Sequence, residues 1–412
     1  MKQFMIGLYG SSKYLTNFCI FLWVIYVAFT APICFNPMIT YLVTALYLFI
    51  LGINNALLNK KVLFICIYWV IVNVLCTLFK SYSFNLNNVI GNLIPLLIAF
   101  SSIVIIGPNI WEKLEKVVFY LTLISLFIFV IQVITGSLFD QFSSVFGRFI
   151  ADIYTETRPT AWYSFIYTYS PIEDIHFPRN SGFMWEPGAY AMITAVFLGY
   201  RFLKYGVSLN KHNIVYVLAL ISTFSTAGYI MLILFFIIYI IETRNVLLSL
   251  ILIVILGALI PYLLSLEFIG EKILSYSEGM GQSSSNDRLG LYEYNRFETF
   301  AINMRRLFEF PIGYGANQIT DKYNKYFVGV NGIAVFARSW GVVGLIVALR
   351  NIISTIKMWV DSSKLHHPKL CIAITFVIFM VTFFSNPIER SLLFLSLIIF
   401  PLIYKLSPNG NK

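Results

Sequence analysis

Long apolar runs, interrupted by few charges, are the feature that most constrains how this sequence can fold. Between His212 and Glu242, for example, 29 consecutive residues carry no charge. The runs are continuous rather than alternating, which favours helices over the strands of a membrane barrel. Across the chain 58% of residues are hydrophobic and only 12% are charged, against about 25% charged in soluble domains. The sequence therefore predicts an all-α, polytopic membrane protein, and it excludes a cytosolic enzyme, a disulfide-rich secreted domain and a disordered chain.

A helix needs about 20 apolar residues to cross a bilayer. On this basis we expect twelve spans, at residues 15–33, 38–54, 62–79, 87–106, 117–136, 187–203, 213–225, 228–241, 246–264, 331–349, 370–385 and 391–405. A single helix over 213–241 would be about 44 Å long, too long for a core of about 30 Å without steep tilt. The polar stretch Ser222–Gly228 is the expected break, so two helices are preferred there.

The basic residues predict an orientation for these spans. With the N-terminus inside, sixteen basic residues fall in cytoplasmic segments, and only Lys80 and Arg390 fall in short outer loops. This asymmetry follows the positive-inside rule and predicts that both termini are cytoplasmic. A single helix over 213–241 would place the later lysine-rich loops on the outer side of the membrane, against this rule. The sixteen residues are Lys2, Lys13, Lys60, Lys61, Lys113, Lys116, Arg201, Lys204, Lys211, Arg244, Arg350, Lys357, Lys364, Lys369, Lys405 and Lys412.

Two long segments, 137–186 and 265–330, are expected on the outer face. They divide the chain into five parts: residues 1–136 with spans one to five, the first loop 137–186, residues 187–264 with spans six to nine, the second loop 265–330, and residues 331–412 with spans ten to twelve and a cytoplasmic tail. Both loops contain many aromatic residues, which indicates folded caps with amphipathic helices rather than linkers.

Arginine is concentrated in these loops and at their exits. Eight of the eleven basic residues there are Arg, whereas thirteen of the sixteen cytoplasmic ones are Lys. The planar guanidinium group suits phosphate better than an ammonium group does, so we expect an anionic ligand, with pyrophosphate the most attractive. Pairing with acids of the same loops is the alternative. The eleven are Arg148, Arg158, Arg179, Lys272, Arg288, Arg296, Arg305, Arg306, Lys322, Lys325 and Arg338.

Arg179 and Glu186 flank an aromatic segment just before the sixth span. Pro187 suits the first turn of a helix, so Glu186 is either an N-terminal cap or a carboxylate placed at the membrane face as a base or to orient sugar hydroxyls. His176, the one histidine expected outside, is a candidate proton acceptor or an incidental loop residue.

Two glycine-containing stretches follow in the second half. The sequence Pro311-Ile-Gly-Tyr-Gly-Ala-Asn317 permits close backbone approach to a ligand or to another segment. Gly341 and Gly344 stand three apart, a spacing that favours close helix packing. No metal-binding or nucleotide-binding pattern is present, so no metal and no cofactor are expected, and the net charge of +10 is assigned to orientation and the anionic ligand rather than to nucleic acid.

In order and spacing, these motifs resemble the O-antigen polymerase and ligase superfamily of bacterial inner-membrane glycosyltransferases, which have a GT-C-like helical fold with two large periplasmic loops. Arg179 to Pro187 is similar to the family's Arg…Gly-Phe-x-x-Glu-Pro segment. Ser222 to Gly228 is similar to its Thr-x-Ser-x-x-Gly helix break, although Thr226 stands where members often have Arg. Arg288 through Gly315 is similar to its Arg…Pro-x-Gly-x-Gly stretch.

The resemblance implies a reaction without metal at the periplasmic face. A hydroxyl of an acceptor repeat attacks the anomeric carbon of a donor glycan, and undecaprenyl pyrophosphate leaves. In this reading, the candidate catalytic residues are Arg288, Glu186 and His176. The candidate pyrophosphate-binding residues are Arg179, Arg288, Arg296 and Arg305. The candidate glycan-binding residues are Trp162, Trp185, Tyr314 and Asn331.

The resemblance also implies partners: undecaprenyl-pyrophosphate-linked donor and acceptor glycans, membrane lipids, a chain-length regulator and a flippase. Ligases of the family tend to carry His-Asn ahead of a Gly-x-x-Gly. Here Val330 replaces the His before Asn331, which favours a polymerase over a ligase that uses lipid A–core as acceptor. A transporter of polysaccharide or lipid-linked sugar is the alternative from another class, and the lack of a visible repeat disfavours it.

Overall fold

A computed structural model describes most of the predicted membrane part of the chain. The described residues are 13–28, 34, 36–53, 59–80, 84–136, 162–163, 166–169, 178–243, 285–286, 291–292, 296–316, 331–386 and 390–404. Of the candidate spans, 246–264 lies outside them, and so do Arg288, His176 and Val330.

The described residues form helices and two short strand pairs. The helices are α1 (Lys13–Ala28), α2 (Pro37–Ile53), α3 (Lys60–Lys80), α4 (Leu86–Ile106), α5 (Ile110–Thr135), α6 (Pro187–Tyr205), α7 (Lys211–Ser222), α8 (Thr226–Thr243), α9 (Arg296–Glu309), α10 (Gly332–Trp359), α11 (Pro368–Ser385) and α12 (Leu392–Ile403). The antiparallel strand pairs are β1 (Trp162–Tyr163) with β2 (Thr168–Tyr169), and β3 (Ser285–Asn286) with β4 (Leu291–Tyr292).

The predicted class, a helical membrane protein, agrees with these elements. In the described part, α3, α4, α5, α8, α10 and α11 are each long and apolar enough to cross a membrane, and α1, α2 and α12 are shorter apolar helices. Long apolar helices suit a bilayer because each satisfies its own backbone hydrogen bonds. The number of twelve spans stays a prediction.

Helix α6 is the centre of the bundle. Its residues from Ala189 to Leu203 are all buried, and it packs against α5, α7, α8, α10 and α11. A helix that is apolar on every side is expected in such a core position. At Gly199 the missing side chain leaves room for Thr375 and Phe379 of α11. The two ends of the bundle are named after the residues near the two ends of α6: the Glu186 end and the Arg201 end.

Helices α7 and α8 form a hairpin, which confirms the preference for two helices over 213–241. The break runs through Thr223, Phe224 and Ser225. The start of α7 lies at the Arg201 end, where Asn213 accepts a hydrogen bond from Arg201. The end of α8 returns to the same end, because Glu242 contacts the loop that joins α10 to α11, and this loop also bonds to Leu203 of α6.

Arg201, one of the sixteen basic residues expected on the cytoplasmic side, is buried and only 7% exposed. Its guanidinium pairs with the buried Glu115 carboxylate at 2.8 Å, and its Nε donates to Asn213 Oδ1 at 2.7 Å. A buried charge needs a partner and full hydrogen bonding, and α5 and α7 supply both. Arg201 therefore ties α6 to α5 and α7.

Glu242 joins α8 to α11 at the same end. Its two carboxylate oxygens accept hydrogen bonds from the backbone N–H groups of His366 and His367, each at 2.7 Å. These N–H groups lie immediately before α11, so the carboxylate satisfies donors at a helix N-terminus, where negative charge is favoured. The loop at the Arg201 end is thereby held against the bundle.

Candidate functional site

Asn180 organises the segment that precedes α6. It is fully buried, and its Oδ1 accepts hydrogen bonds from Ser125 Oγ at 2.9 Å and from the Gly182 N–H at 2.8 Å. Its Nδ2 donates to Ser222 Oγ, and its backbone N–H donates to Ser222 O, both at 2.9 Å. One amide thus joins α5, α7 and the residues leading to Glu186. No sequence pattern singles out Asn180, and its place beside Arg179 in the motif is the available signal.

Arg179 lies at the C-terminus of α7. Its Nε donates to the Thr223 carbonyl oxygen at 3.2 Å. A second carbonyl at this end of α7, that of Ile221, accepts a hydrogen bond from Tyr229 Oη at 3.2 Å. The last carbonyls of a helix lack partners within the helix and favour a nearby cation. This contact gives the half-buried Arg179 a structural role in the hairpin, beside the anion-binding role predicted for it.

The helix break is reinforced by aromatic packing. Phe224 has a φ of +45°, a strained value for a residue with a bulky side chain. It packs against Tyr167 and Phe129, and Tyr167 Oη donates a short hydrogen bond to Gln132 Oε1 at the end of α5. Burial raises the pKa of Tyr167 well above its ordinary value, so this phenol stays protonated and acts as a donor.

Glu186 has an extended backbone just before α6, and its side chain does not cap the helix. Glu186 is thus the N-cap residue of α6 by its backbone position, without a capping hydrogen bond from its side chain. A β-carbon added at Gly188 would lie 3.6 Å from Glu186 Oε1 and 3.4 Å from Asn386 Oδ1. Asn386 is 1% exposed, and its Nδ2 donates to the Thr382 carbonyl oxygen. Its Oδ1 has no hydrogen-bond partner in the described part of the chain. Two acceptor oxygens thus border the space at Gly188, and they suit a ligand that donates hydrogen bonds.

Helix α9 lies beside the end of α11 that carries Asn386. The rings of Phe297 and Phe300 lie 5.2 and 5.7 Å from that of Phe384. On another face, Thr299, Asn303 and Leu307 are buried at a spacing of four residues, and α9 packs on α10. Arg296, at the first position of α9, is thereby brought to the Glu186 end, as an amphipathic cap would predict.

The arginines of α9 differ in their surroundings. Arg305 and Arg306 both pair with Glu309, at 3.2 and 3.1 Å, and the Arg305 side chain is 83% exposed. Such surface pairs contribute little to stability, and they match the alternative of pairing within the loop. Arg296 is half-buried, and it has no ion-pair partner among residues whose placement is described.

Gly341 breaks helix α10, which corrects the expectation of simple helix packing there. Its φ is +71° and its ψ is 180°, a conformation open to glycine almost alone. Around the break, backbone groups of α10 bond to groups outside the helix. Tyr314 N and Gly315 N donate to the carbonyls of Arg338 and Ser339, both at 2.9 Å. Gly344 lies against Trp340 of the same helix and Tyr68 of α3.

The remaining groups of the break are also satisfied. Tyr68 Oη donates to the Trp340 carbonyl oxygen at 2.6 Å, and Val342 N donates to the Pro311 carbonyl oxygen at 2.9 Å. Buried backbone polar groups rarely stay unpaired, and here a loop and a helix break complete each other. The close approach permitted by the glycines of 311–317 is therefore to another segment of the chain.

We call residues 310–316 the inserted loop, because it runs along α3 toward the middle of that helix. Lys80 Nζ lies 5.3 Å from the centre of the Phe310 ring, and Ala316 N donates to Asn73 Oδ1 at 2.8 Å. From Lys80 to Asn73 the helix descends about 10 Å. Irregular backbone at membrane depth is tolerated where it is enclosed by protein. The inserted loop anchors the end of α9 to the bundle.

The candidate glycan-binding residues have mixed positions. Tyr314 is 2% exposed and packs with Phe310 and Cys76. Asn331 caps α10, since its Oδ1 accepts from Ala334 N at 3.0 Å, and its buried Nδ2 has no partner within the described segments. Trp185 is half-buried against the main core, and Trp162 pairs with Tyr169 in the short sheet.

Comparison with known proteins does not assign the chain to a family. No protein family matches this chain, and no curated protein is significantly similar to it. Among the described residues, no three His, Cys, Asp or Glu side chains gather in a way that would hold a metal ion.

Proposed function

We propose that the chain is a glycosyltransferase of the bacterial inner membrane that polymerises undecaprenyl-pyrophosphate-linked oligosaccharide repeats at the periplasmic face. The Glu186 end faces the periplasm in this proposal, in line with the predicted orientation. The observation that carries it is the pair of acceptor oxygens, Glu186 Oε1 and Asn386 Oδ1, beside Gly188. The products are a longer O-antigen or related surface polysaccharide and undecaprenyl pyrophosphate.

The oxygen pair suits the acceptor glycan. A sugar hydroxyl that enters the space at Gly188 can donate to the Glu186 carboxylate, which takes the proton as the oxygen attacks the anomeric carbon, while a neighbouring hydroxyl of the same sugar donates to Asn386 Oδ1. Burial of Asn386 and its hydrogen bond to the Thr382 carbonyl oxygen hold its Oδ1 in place without a ligand. Such preorganisation lowers the cost of reaching the transition state.

The arginine set suits the donor. Negative charge grows on the pyrophosphate as its bond to the sugar breaks, and fixed guanidinium groups stabilise that charge. In this proposal Arg288 has the central role, Arg296 assists it from the first turn of α9, and Arg179 and Arg305 are further candidates. The inserted loop and α10 hold α9, which explains how a loop arginine is kept beside the end of α11.

A glycan ladder gel from a strain that lacks this protein tests the proposal. Loss of long chains with a single repeat retained on lipid A–core supports a polymerase. Loss of all glycan from lipid A–core, with polymer left on undecaprenol, would assign a ligase. Unpolymerised lipid-linked units left on the cytoplasmic side would assign a transporter. Complementation with Arg288→Ala should leave single repeats only, whereas Arg350→Ala, an exposed arginine on α10, should restore the ladder.

A further inference from the structure

A second site lies away from the proposed active site, between α3, α4, α10 and α12. It is a groove of about 340 Å³ whose wall is almost wholly apolar. Phe64, Val343, Val347, Leu395 and Ile398 form much of the wall. Among the described residues, no acidic side chain lines it. Nothing in the proposed reaction uses this groove, whose lining on α10 runs past the Gly341 break, from Phe336 to Ala348.

The groove has a charged mouth and an aromatic end. Lys60 and Lys61 line the mouth, are both exposed, and form no ion pair within the described part of the chain. Tyr68 and Trp340 line the other end. From Lys60 to Tyr68 the helix rises about 12 Å, so one side of the groove is as long as part of an acyl chain.

The mouth opens toward the Arg201 end of the bundle. Along α10, residues Val347 and Ala348 line the groove and the helix continues to Trp359, beyond which Asp361 bonds to Leu203 of α6. Under the orientation predicted from the loop charges, Lys60 and Lys61 therefore lie at the cytoplasmic surface of the membrane.

We propose that this groove binds an anionic phospholipid of the cytoplasmic leaflet. Its phosphate lies against Lys60 and Lys61, and one acyl chain fills the apolar wall up to Trp340. Charge complementarity selects the occupant, because paired cations at a membrane surface attract anionic headgroups and an apolar wall accepts only hydrocarbon. The acyl chain of the lipid ends next to Trp340, whose carbonyl oxygen accepts a hydrogen bond from Tyr68. The bound lipid therefore packs against the break in α10 and stabilises the conformation that receives the inserted loop.

The test uses the full-length protein, purified and delipidated in an uncharged detergent. Its unfolding temperature is measured with added dioleoyl phosphatidylglycerol or dioleoyl phosphatidylcholine. We expect phosphatidylglycerol to raise it by several degrees, because a ligand that binds only the folded state stabilises that state. Phosphatidylcholine should raise it much less. Equal shifts with both lipids would overturn the proposal.

Two pairs of variants locate the effect. Lys60→Gln with Lys61→Gln removes the charge at the mouth, and Lys204→Gln with Lys211→Gln is the matched control, since these lysines are also exposed at the Arg201 end. Val347→Trp fills the groove, and Ile346→Trp is its control on the lipid-facing side of the same helix, where Ile346 is 58% exposed. The shift with phosphatidylglycerol should be lost in the first member of each pair and kept in the control.

Other outcomes contradict the proposal. If phosphatidylglycerol still raises the unfolding temperature of the Lys60/Lys61 variant, the two lysines do not bind the headgroup. Because both lysines are exposed, this variant is informative even where Val347→Trp does not fold. Undecaprenyl phosphate is a further ligand to test. If it raises the unfolding temperature of the Lys60/Lys61 variant but not that of Val347→Trp, the groove binds a polyprenyl chain instead.

Discussion

Gly313 and Gly341 meet with their backbones in contact: a β-carbon on Gly313 would lie 2.6 Å from the Gly341 nitrogen. The inserted loop and the break in α10 can pair only because both positions lack a side chain. Through this contact a loop of the second half reaches toward the middle of α3, and α9 with its arginines is fixed at the Glu186 end.

Replacing Gly341 by Ala should destabilise the fold. The backbone conformation alone would cost about 1–3 kcal/mol in a residue with a β-carbon, and the added carbon would overlap the Ile312 carbonyl oxygen. Thermal unfolding in detergent measures the loss. Gly91→Ala is the control, because no atom of the described segments would lie within 4 Å of its β-carbon; this change should be neutral or stabilising. An equal effect of the two changes would contradict the pairing.

Asn180→Ala should loosen the segment before α6. The change removes an amide that makes three side-chain hydrogen bonds, and the Ser125 hydroxyl and the Gly182 N–H lose their acceptor, which costs about 1–3 kcal/mol per unsatisfied group. Chemical unfolding should show the loss, and hydrogen exchange should rise at Gly182. Asn92→Ala, at a surface amide that contacts Arg390, should change neither.

Arg201→Met should be far more disruptive than Arg305→Ala. The first change leaves the buried Glu115 carboxylate unpaired, at a cost of about 3–5 kcal/mol, while the second breaks an exposed pair worth at most about 1 kcal/mol. Denaturant titration of each variant gives the comparison. Adding Glu115→Leu to Arg201→Met should recover much of the loss, and no recovery would show that the ion pair is not the cause.

Gly188→Ala should separate activity from stability. Its β-carbon would fit at ordinary contact distances, 3.4 Å from Asn386 Oδ1 and 3.6 Å from Glu186 Oε1, so the unfolding temperature should stay unchanged. The methyl group takes the place proposed for the acceptor hydroxyl, and chain elongation should fall by at least tenfold, roughly the value of one good hydrogen bond to a charged group. Asn386→Leu should have a similar effect on elongation. Full activity in Gly188→Ala would refute the acceptor site.

Several elements of the fold could be predicted because their causes are local. The apolar runs predicted helices where α3, α4, α10 and α11 are found, and the polar stretch from Ser222 predicted the break between α7 and α8. Pro187 marked the first turn of α6. Each of these rests on residues that are close together in the chain.

The site depended on contacts between distant residues. Asn386 lies beside Glu186 only because α11 packs on α6. No sequence pattern near Asn386 predicts that the two residues are close. Arg201 looked like an orientation charge because its partner Glu115 lies on another helix. The spacing of Gly341 and Gly344 indicated helix packing, whereas the approach of Gly313 turned Gly341 into a helix break.

The sequence by itself determined the class of this protein, since continuous apolar runs leave a chain few options other than helices that satisfy their own backbone in lipid. Tertiary structure decided which polar groups meet. Buried groups such as Asn180, Arg201 and the carbonyls freed at Gly341 must find partners, and those partners come from helices and loops far away in the chain.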